Sequence, residues 1–206
     1  VSTYGGPYSF CWCDSTATEC NRPRAYTLTL GFLHVLGPTE EQSTQVHHCL
    51  AGQVCVITGI RAHGGMEGSR MLVQPGEACD GDTTLFVAGV PNGGISEVAE
   101  ERGTSIRWGP EHISTWGGEY QLCWCSPVNL PCETRIGGRN YLTKAGRLTI
   151  LGPSQQVSER DCAFGYPCTL ENLPGVGLRG GDRLAVMYAC GEAAGPVEGN
   201  TSAEWL

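Results

Sequence analysis

The sequence has few charged residues and a single lysine. Charged residues make up 17% of the 206 positions, Lys144 is the one lysine, and the formal net charge is −8. Nucleic acids and anionic membrane surfaces are bound through clusters of basic residues, which this composition does not supply. We therefore expect neither nucleic acid nor a membrane surface as a partner.

Long apolar runs and helical periodicity are also missing. No apolar run approaches the roughly 20 residues that cross a bilayer, and the given residues do not open on a signal-peptide pattern. We interpret the sequence as a mature, secreted product without a membrane span. Its 30 glycines and 12 prolines predict short strands joined by turns, and hence an all-β fold.

An internal repeat organises the chain. Residues 2–13 read STYGGPYSFCWC and residues 114–125 read STWGGEYQLCWC, with eight identical positions. This repeat predicts two tandem modules, at 1–94 and 104–199, joined by a linker at 95–103. The alternation of apolar residues and the Gly/Pro turns predict that each module is a disulfide-stapled, immunoglobulin-like β-sandwich.

The 12 cysteines form two matching sets of six. Successive spacings are 2, 7, 29, 6 and 24 residues in the first set and 2, 7, 30, 6 and 22 in the second. We prefer three disulfides per module, in an oxidising compartment, over a metal site, because His47 and His48 have no counterparts in the second module. The candidate disulfide residues are Cys11, Cys13, Cys20, Cys49, Cys55, Cys79, Cys123, Cys125, Cys132, Cys162, Cys168 and Cys190.

The pairing within each set is open, since six cysteines allow 15 combinations. Short loops favour the local pairs, and the two cysteines that remain in each module would form a long staple worth about 3–4 kcal/mol. The preferred local pairs are Cys13–Cys20, Cys49–Cys55, Cys125–Cys132 and Cys162–Cys168. The preferred long pairs are Cys11–Cys79 and Cys123–Cys190.

Two similar segments suggest how copies are joined. TSIRWG at 104–109 immediately precedes the second CWC strand, and TSAEWL occupies 201–206. We interpret 104–109 as the lead strand of module two, and 200–206 as an orphan lead strand that completes the next module in a head-to-tail homopolymer or array. A tail without a structural role is the alternative. The candidate assembly residues are Tyr4, Trp108, Trp205 and Leu206.

The order of motifs resembles a known repeat. G-G-x-Y-x-[FL]-C-W-C is followed by G-x-L-x-[VI]-L-G-P and then by C-x-x-G-x-x-C. This order is similar to the Cys-rich CWC modules that very large surface proteins of alveolate protists carry in tandem. The resemblance covers nearly the whole chain except 84–90, which the second module lacks. It implies an extracellular or cell-surface repeat protein and transfers no catalytic residue.

No catalytic motif is present in the sequence. It contains no G-x-S-x-G, H-E-x-x-H, P-loop or dinucleotide-binding fingerprint. Asp80-Gly81-Asp82 offers too few oxygens for calcium, which takes six to eight ligands. We therefore expect no enzyme activity, no cofactor and no metal.

Two further features bear on function. Asn200-Thr201-Ser202 is a sequon, so Asn200 is a candidate N-glycosylation site. Trp108, Trp116 and Trp205 could line a carbohydrate platform, although a packing role is the preferred interpretation. The predicted function is a structural repeat of an extracellular fibre or cell-surface array, and the alternative is an adhesive ectodomain that binds glycan or protein.

Overall fold

Strands dominate the computed structural model, which confirms the all-β prediction. It describes residues 4–16, 19–64, 66–79, 86–100, 103–128, 132, 140–154, 159, 161–163, 165–170, 172–188, 190 and 203–204. The strands are β1 (Gly6–Trp12), β2 (Leu28–Val35), β3 (Gly37–Pro38), β4 (Val46–Leu50), β5 (Val56–Thr58), β6 (Ala62–His63), β7 (Arg70–Gln74), β8 (Ser105–Arg107), β9 (Gly118–Cys125), β10 (Thr143–Pro153), β11 (Gly175–Val176), β12 (Arg183–Leu184) and β13 (Ala203–Glu204).

Helical structure is scarce among these described residues. One short α-helix, α1 (Glu40–Thr44), follows β3, and 3₁₀ turns lie at Pro23–Ala25 and Pro91–Gly94. Across the described residues, no helix has the length and apolar character needed to span a membrane.

The central sheet combines strands of both sequence repeats. Its order is β11-β10-β9-β7, and β4 also pairs with β10. β9 is antiparallel to β7 and to β10, whereas β4 runs parallel to β10. A separate pair joins β5 to β8. Because β4, β5 and β7 come from the first repeat and β8, β9 and β10 follow the predicted linker, the sheets cross the repeat boundary.

From Gln121 to Cys125 both faces of β9 are buried, and alternate side chains point to different clusters. Leu122 and Trp124 face the main core, which also holds Met71 and Val73 of β7. The cysteines of β9 face a second cluster with Leu72. The sheet is therefore covered on both sides at the place where the two repeats meet.

The segment predicted as a linker is part of this packing. Ile95 and Ala99 are buried, and the backbone N–H of Ser96 donates to the carbonyl of Met71 (2.8 Å). The bounds 1–94, 95–103 and 104–199 describe the sequence repeat, whereas the packed structure runs from β3 to β10. We call residues 37–153 the bridging unit.

β1 and β2 form a hairpin with the same local structure as β9 and β10. The N–H of Gly5 donates to the carbonyl of Pro38 (2.8 Å), and the N–H of Gly117 donates to that of Pro153 (2.7 Å). At both positions a Cβ atom would overlap a facing carbonyl oxygen, that of Gly37 or of Gly152. Glycine is required twice for the same reason, which is the close approach of two backbones.

Candidate functional site

The joint between the two repeats contains a disulfide that neither repeat could form alone. Cys79, which follows β7, is bonded to Cys123 of β9, with 5.6 Å between their Cα atoms. The other disulfides in the described residues close short loops at Cys13–Cys20, Cys49–Cys55, Cys125–Cys132 and Cys162–Cys168. Cys11 and Cys190 are exposed free thiols.

The two long pairs expected from the sequence, Cys11–Cys79 and Cys123–Cys190, are wrong. β7 lies beside β9 in the sheet, with Leu72 directly opposite Cys123. The chain that leaves β7 therefore brings Cys79 to the first cysteine of the second repeat rather than to that of its own repeat. Strand pairing decides the connection, because a disulfide requires Cα atoms about 4.4–6.8 Å apart.

A tyrosine shields this joint from solvent. Tyr141 is fully buried beside Cys123, Cys125 and Cys132, and its hydroxyl donates to the carbonyl of Cys132 (2.6 Å). Burial raises the pKa of Tyr141 to about 12, so the hydroxyl keeps its proton at neutral pH. The cysteines of β9 are themselves fully buried, which limits the access of reductants.

A buried glutamine connects α1 to the second repeat. The Nε2 of Gln42 donates to the carbonyl of Ala145 in β10 (2.9 Å), and its Oε1 accepts from the backbone N–H of Arg61 (2.9 Å). Sequence inspection missed this contact. The sequence does indicate where α1 begins, since Thr39-x-x-Gln42 matches a helix capping box and the Thr39 hydroxyl accepts from the N–H of Gln42 (3.3 Å). That pattern does not indicate that the Gln42 side chain is buried.

The same glutamine sets the protonation state of His47. With Nε2 of Gln42 as a donor, Nε2 of His47 (3.0 Å away) must accept, so the ring is neutral. Burial, with a smaller effect from the charge on His48, lowers the pKa of His47 below its ordinary value. His47 therefore belongs to the core network, and Cys49 beside it is in a disulfide.

Replacing Gln42 by methionine is expected to lower the free energy of unfolding by about 2–3 kcal/mol. Methionine has a similar length but leaves the buried carbonyl of Ala145 and the partly buried N–H of Arg61 without this partner. Urea denaturation followed by circular dichroism measures the change. Gln53→Met, at an exposed glutamine, is the matched control. Equal losses in the two variants would contradict the role assigned to Gln42.

Stability is expected to decrease as the pH falls from about 7.5 to about 5, because the unfolded chain binds a proton at His47 that the folded chain resists. A lowered folded pKa gives stability that is present above the unfolded pKa and lost as the pH falls through the folded value. Denaturation midpoints at the two pH values measure this. His47→Gln should flatten the dependence, whereas His112→Gln, at an exposed site, should leave it unchanged.

The segment predicted as a lead strand belongs instead to the first repeat. β8 pairs with β5 at residues 56–58, and Trp108, just after β8, is 1% exposed. Its indole N–H donates to the carbonyl of Gly94 (2.8 Å). Trp108 is therefore a core residue of the bridging unit, in keeping with the packing role preferred from the sequence.

Two further candidate residues lie at the surface of the described structure. Tyr4 and Trp116 are exposed, and the main-chain carbonyl of each accepts from a tyrosine hydroxyl four residues later. The other three candidates, Asn200, Trp205 and Leu206, lie outside the described residues. The backbone of β13 pairs with β12 of the same chain.

The acidic and histidine-rich segments are the places where a metal ion would find ligands. In the portion of the chain that the structure describes, no three or more His, Cys, Asp or Glu side chains are grouped to hold a metal ion. Asp80-Gly81-Asp82 lies outside that portion. The site with the strongest structural definition is therefore the joint between repeats.

The chain is similar to a curated cysteine-repeat protein. It is 29% identical over 158 residues to Cysteine repeat modular protein B of Toxoplasma gondii. The match covers 72% of this chain and 2% of that protein, so the chain spans a small fraction of the relative's length. No family model matches the chain, and no solved structure matches it. The similarity and the disulfides fit a repeat-containing, Cys-rich protein that is secreted or at the cell surface.

Proposed function

We propose that this chain is a structural segment of an extracellular or cell-surface array in which consecutive repeats are joined head to tail. The bridging unit carries this proposal, because its core and its central sheet draw on both repeats. Separation of the repeats would break three strand pairings, open the core and require reduction of Cys79–Cys123.

Such a joint resists bending and pulling. Domains on a linker normally move relative to one another, whereas here 95–99 is packed into the core. Repeats that interlock in this way transmit tension through a folded body rather than through a flexible connection. This is the mechanical property that a fibre or surface coat requires.

The finer features of the proposal come from the sequence. They are immunoglobulin-like packing of the sheets, descent from the CWC modules of alveolate surface proteins, and an N-glycan at Asn200. Strand donation by 200–206 has less support, since the similar segment 104–109 pairs with β5, upstream in its own chain. We therefore assign head-to-tail continuity to the bridging unit.

Pulling a single molecule by its ends tests the proposal. The bridging unit is expected to unfold in one step at a distinct force. The 44-residue separation of Cys79 and Cys123 hides about 150 Å of contour, at about 3.4 Å per residue. A Cys79→Ala/Cys123→Ala double variant should give a longer step by that amount and should yield at lower force. Extension of the unaltered chain without a force peak would contradict a structural role.

A glycan array distinguishes the adhesive alternative, for which the exposed Trp116 is the relevant feature. Binding that is lost in Trp116→Ala, together with an absent force peak, would favour an adhesive ectodomain. A force peak without glycan binding favours the structural function. The two measurements use the same chain and do not depend on each other.

A further inference from the structure

The β1–β2 hairpin exposes the side chains that its counterpart buries. In the β9–β10 hairpin Leu122 is 0% and Trp124 is 7% exposed. Phe10 and Trp12 occupy the same places in β1 and are 59% and 48% exposed. The two hairpins share their local structure, so the difference lies in what covers them.

The cover of the β9–β10 hairpin comes from the end of the first repeat. β7 pairs with β9 in the same sheet, and its Met71 and Val73 are fully buried with Leu122 and Trp124 in the main core. The second repeat has the same pattern at 182–186, where Leu184 and Val186 correspond to Met71 and Val73. Leu184 is partly buried and Val186 is 59% exposed, so this segment of the second repeat presents apolar surface at Val186 to solvent.

The two free cysteines occupy the positions of a disulfide. Cys11 corresponds to Cys123 and Cys190 corresponds to Cys79 in the repeat. Cys79 and Cys123 are bonded to each other, whereas Cys11 and Cys190 are free and exposed. The β1–β2 hairpin, with its exposed face and the free Cys11, is therefore complementary to the segment that contains Val186 and the free Cys190.

The β1–β2 hairpin and the segment that follows Pro153 are attached to the bridging unit at opposite ends of β10. Gly37, after the first hairpin, lies against the ring of Trp124, which pairs with Thr143 at the start of β10. The segment from 154 onward leaves β10 after Pro153. Ten residues of strand at about 3.3 Å each place these ends roughly 30 Å apart. This arrangement suits a neighbour at each end better than closure within one chain.

We propose that residues 154–190 of one copy cover the β1–β2 hairpin of a second copy, and that Cys190 and Cys11 form an inter-copy disulfide. The product is another bridging unit, equivalent to residues 37–153. This inference rests on the proposed function and names the surfaces that join the array. The contact is heterologous and does not close on itself, so it propagates in one direction.

Bond formation requires an oxidant of the disulfide class. The thiols of Cys190 and Cys11 each lose a proton, and their two electrons reduce an external disulfide such as oxidised glutathione to two thiols. The Sγ–Sγ bond forms through a mixed disulfide, in which one cysteine first displaces a glutathione thiolate and the other then displaces the second. The secretory route maintains such an oxidising glutathione pool.

Two single variants test the proposal in glutathione redox buffer. The Cys11→Ser variant retains only the free thiol of Cys190, and the Cys190→Ser variant retains only that of Cys11. Each variant alone is expected to remain monomeric on non-reducing gels, whereas their mixture should give a dimer with a Cys11–Cys190 peptide by mass spectrometry. The unaltered chain should give a ladder of multimers.

Several outcomes would overturn the inference. These are no dimer in the mixture, dimers of either variant alone in equal amount, or a monomer with Cys11 bonded to its own Cys190. Trp12→Asp, which charges the exposed face and retains the thiol, should reduce the ladder, whereas Trp116→Asp should not. The force peak of the bridging unit does not depend on Cys11 or Cys190. A force peak in the absence of mixed dimers would therefore support the proposed function and contradict the inter-copy disulfide.

Discussion

The Cys79→Ala/Cys123→Ala double variant is expected to lose about 4 kcal/mol of the free energy of unfolding of the bridging unit, because a disulfide across 44 residues restricts the unfolded chain strongly. This is a large part of the 5–15 kcal/mol that stabilises a typical domain. The replaced side chains lie where the second cluster packs against β7 and β9, so alanine also removes buried sulfur contacts. Guanidinium denaturation of the two proteins measures the difference.

The matched control is Cys13→Ala/Cys20→Ala. This pair spans seven residues in the β1–β2 connection, outside the bridging unit. Its removal should leave the denaturation midpoint of the bridging unit nearly unchanged. A non-reducing peptide map gives an independent check, since a fragment that joins Cys79 to Cys11 in the monomer would contradict the observed connection.

Trp108→Ala is expected to cost about 3–5 kcal/mol, the range for removal of a large buried aromatic side chain. The indole is 1% exposed, lies in the main core, and bonds the carbonyl of Gly94. Alanine would leave a cavity between β8 and the turn at 91–94, and would orphan that carbonyl. Denaturation followed by far-ultraviolet circular dichroism is suitable, because it does not rely on tryptophan emission.

Trp116→Ala is the control for this prediction. Trp116 is 43% exposed, and its contribution to the Tyr120 hydrogen bond is a main-chain carbonyl, which alanine retains. The expected loss is about 1 kcal/mol or less, as for most surface substitutions. If Trp108 were instead an open assembly residue, the two variants would have similar stabilities and would differ in self-association.

The local structure followed from the sequence to a large extent. Alternating residues in the CWC strand, such as Leu122 and Cys123, indicated a strand with two different faces, and both faces exist. Each CWC strand follows a Gly-Gly pair in the repeat, and Gly5 and Gly117 each allow a close backbone contact. These features depend on neighbouring residues and on side-chain alternation, which the sequence records directly.

The network around Gln42 was missed for the opposite reason. Its partners lie in three separate segments, and one of them, Ala145, is 103 positions away. A polar residue in a short charged helix carries no sign in the sequence that it is buried. Only the packing of α1 against β10 places its amide beside a backbone carbonyl that needs a donor.

An all-β chain, its repeated CWC strand and its two equivalent sets of cysteines follow from the sequence alone. The tertiary structure alone decided which repeat supplies the strand beside β9, and hence that Cys79 bonds Cys123. The physical reason is that a strand from one repeat has the same apolar alternation as the equivalent strand of the next. A shift of the pairing by one whole repeat therefore leaves every local pattern unchanged, and only the three-dimensional path of the chain selects the partner.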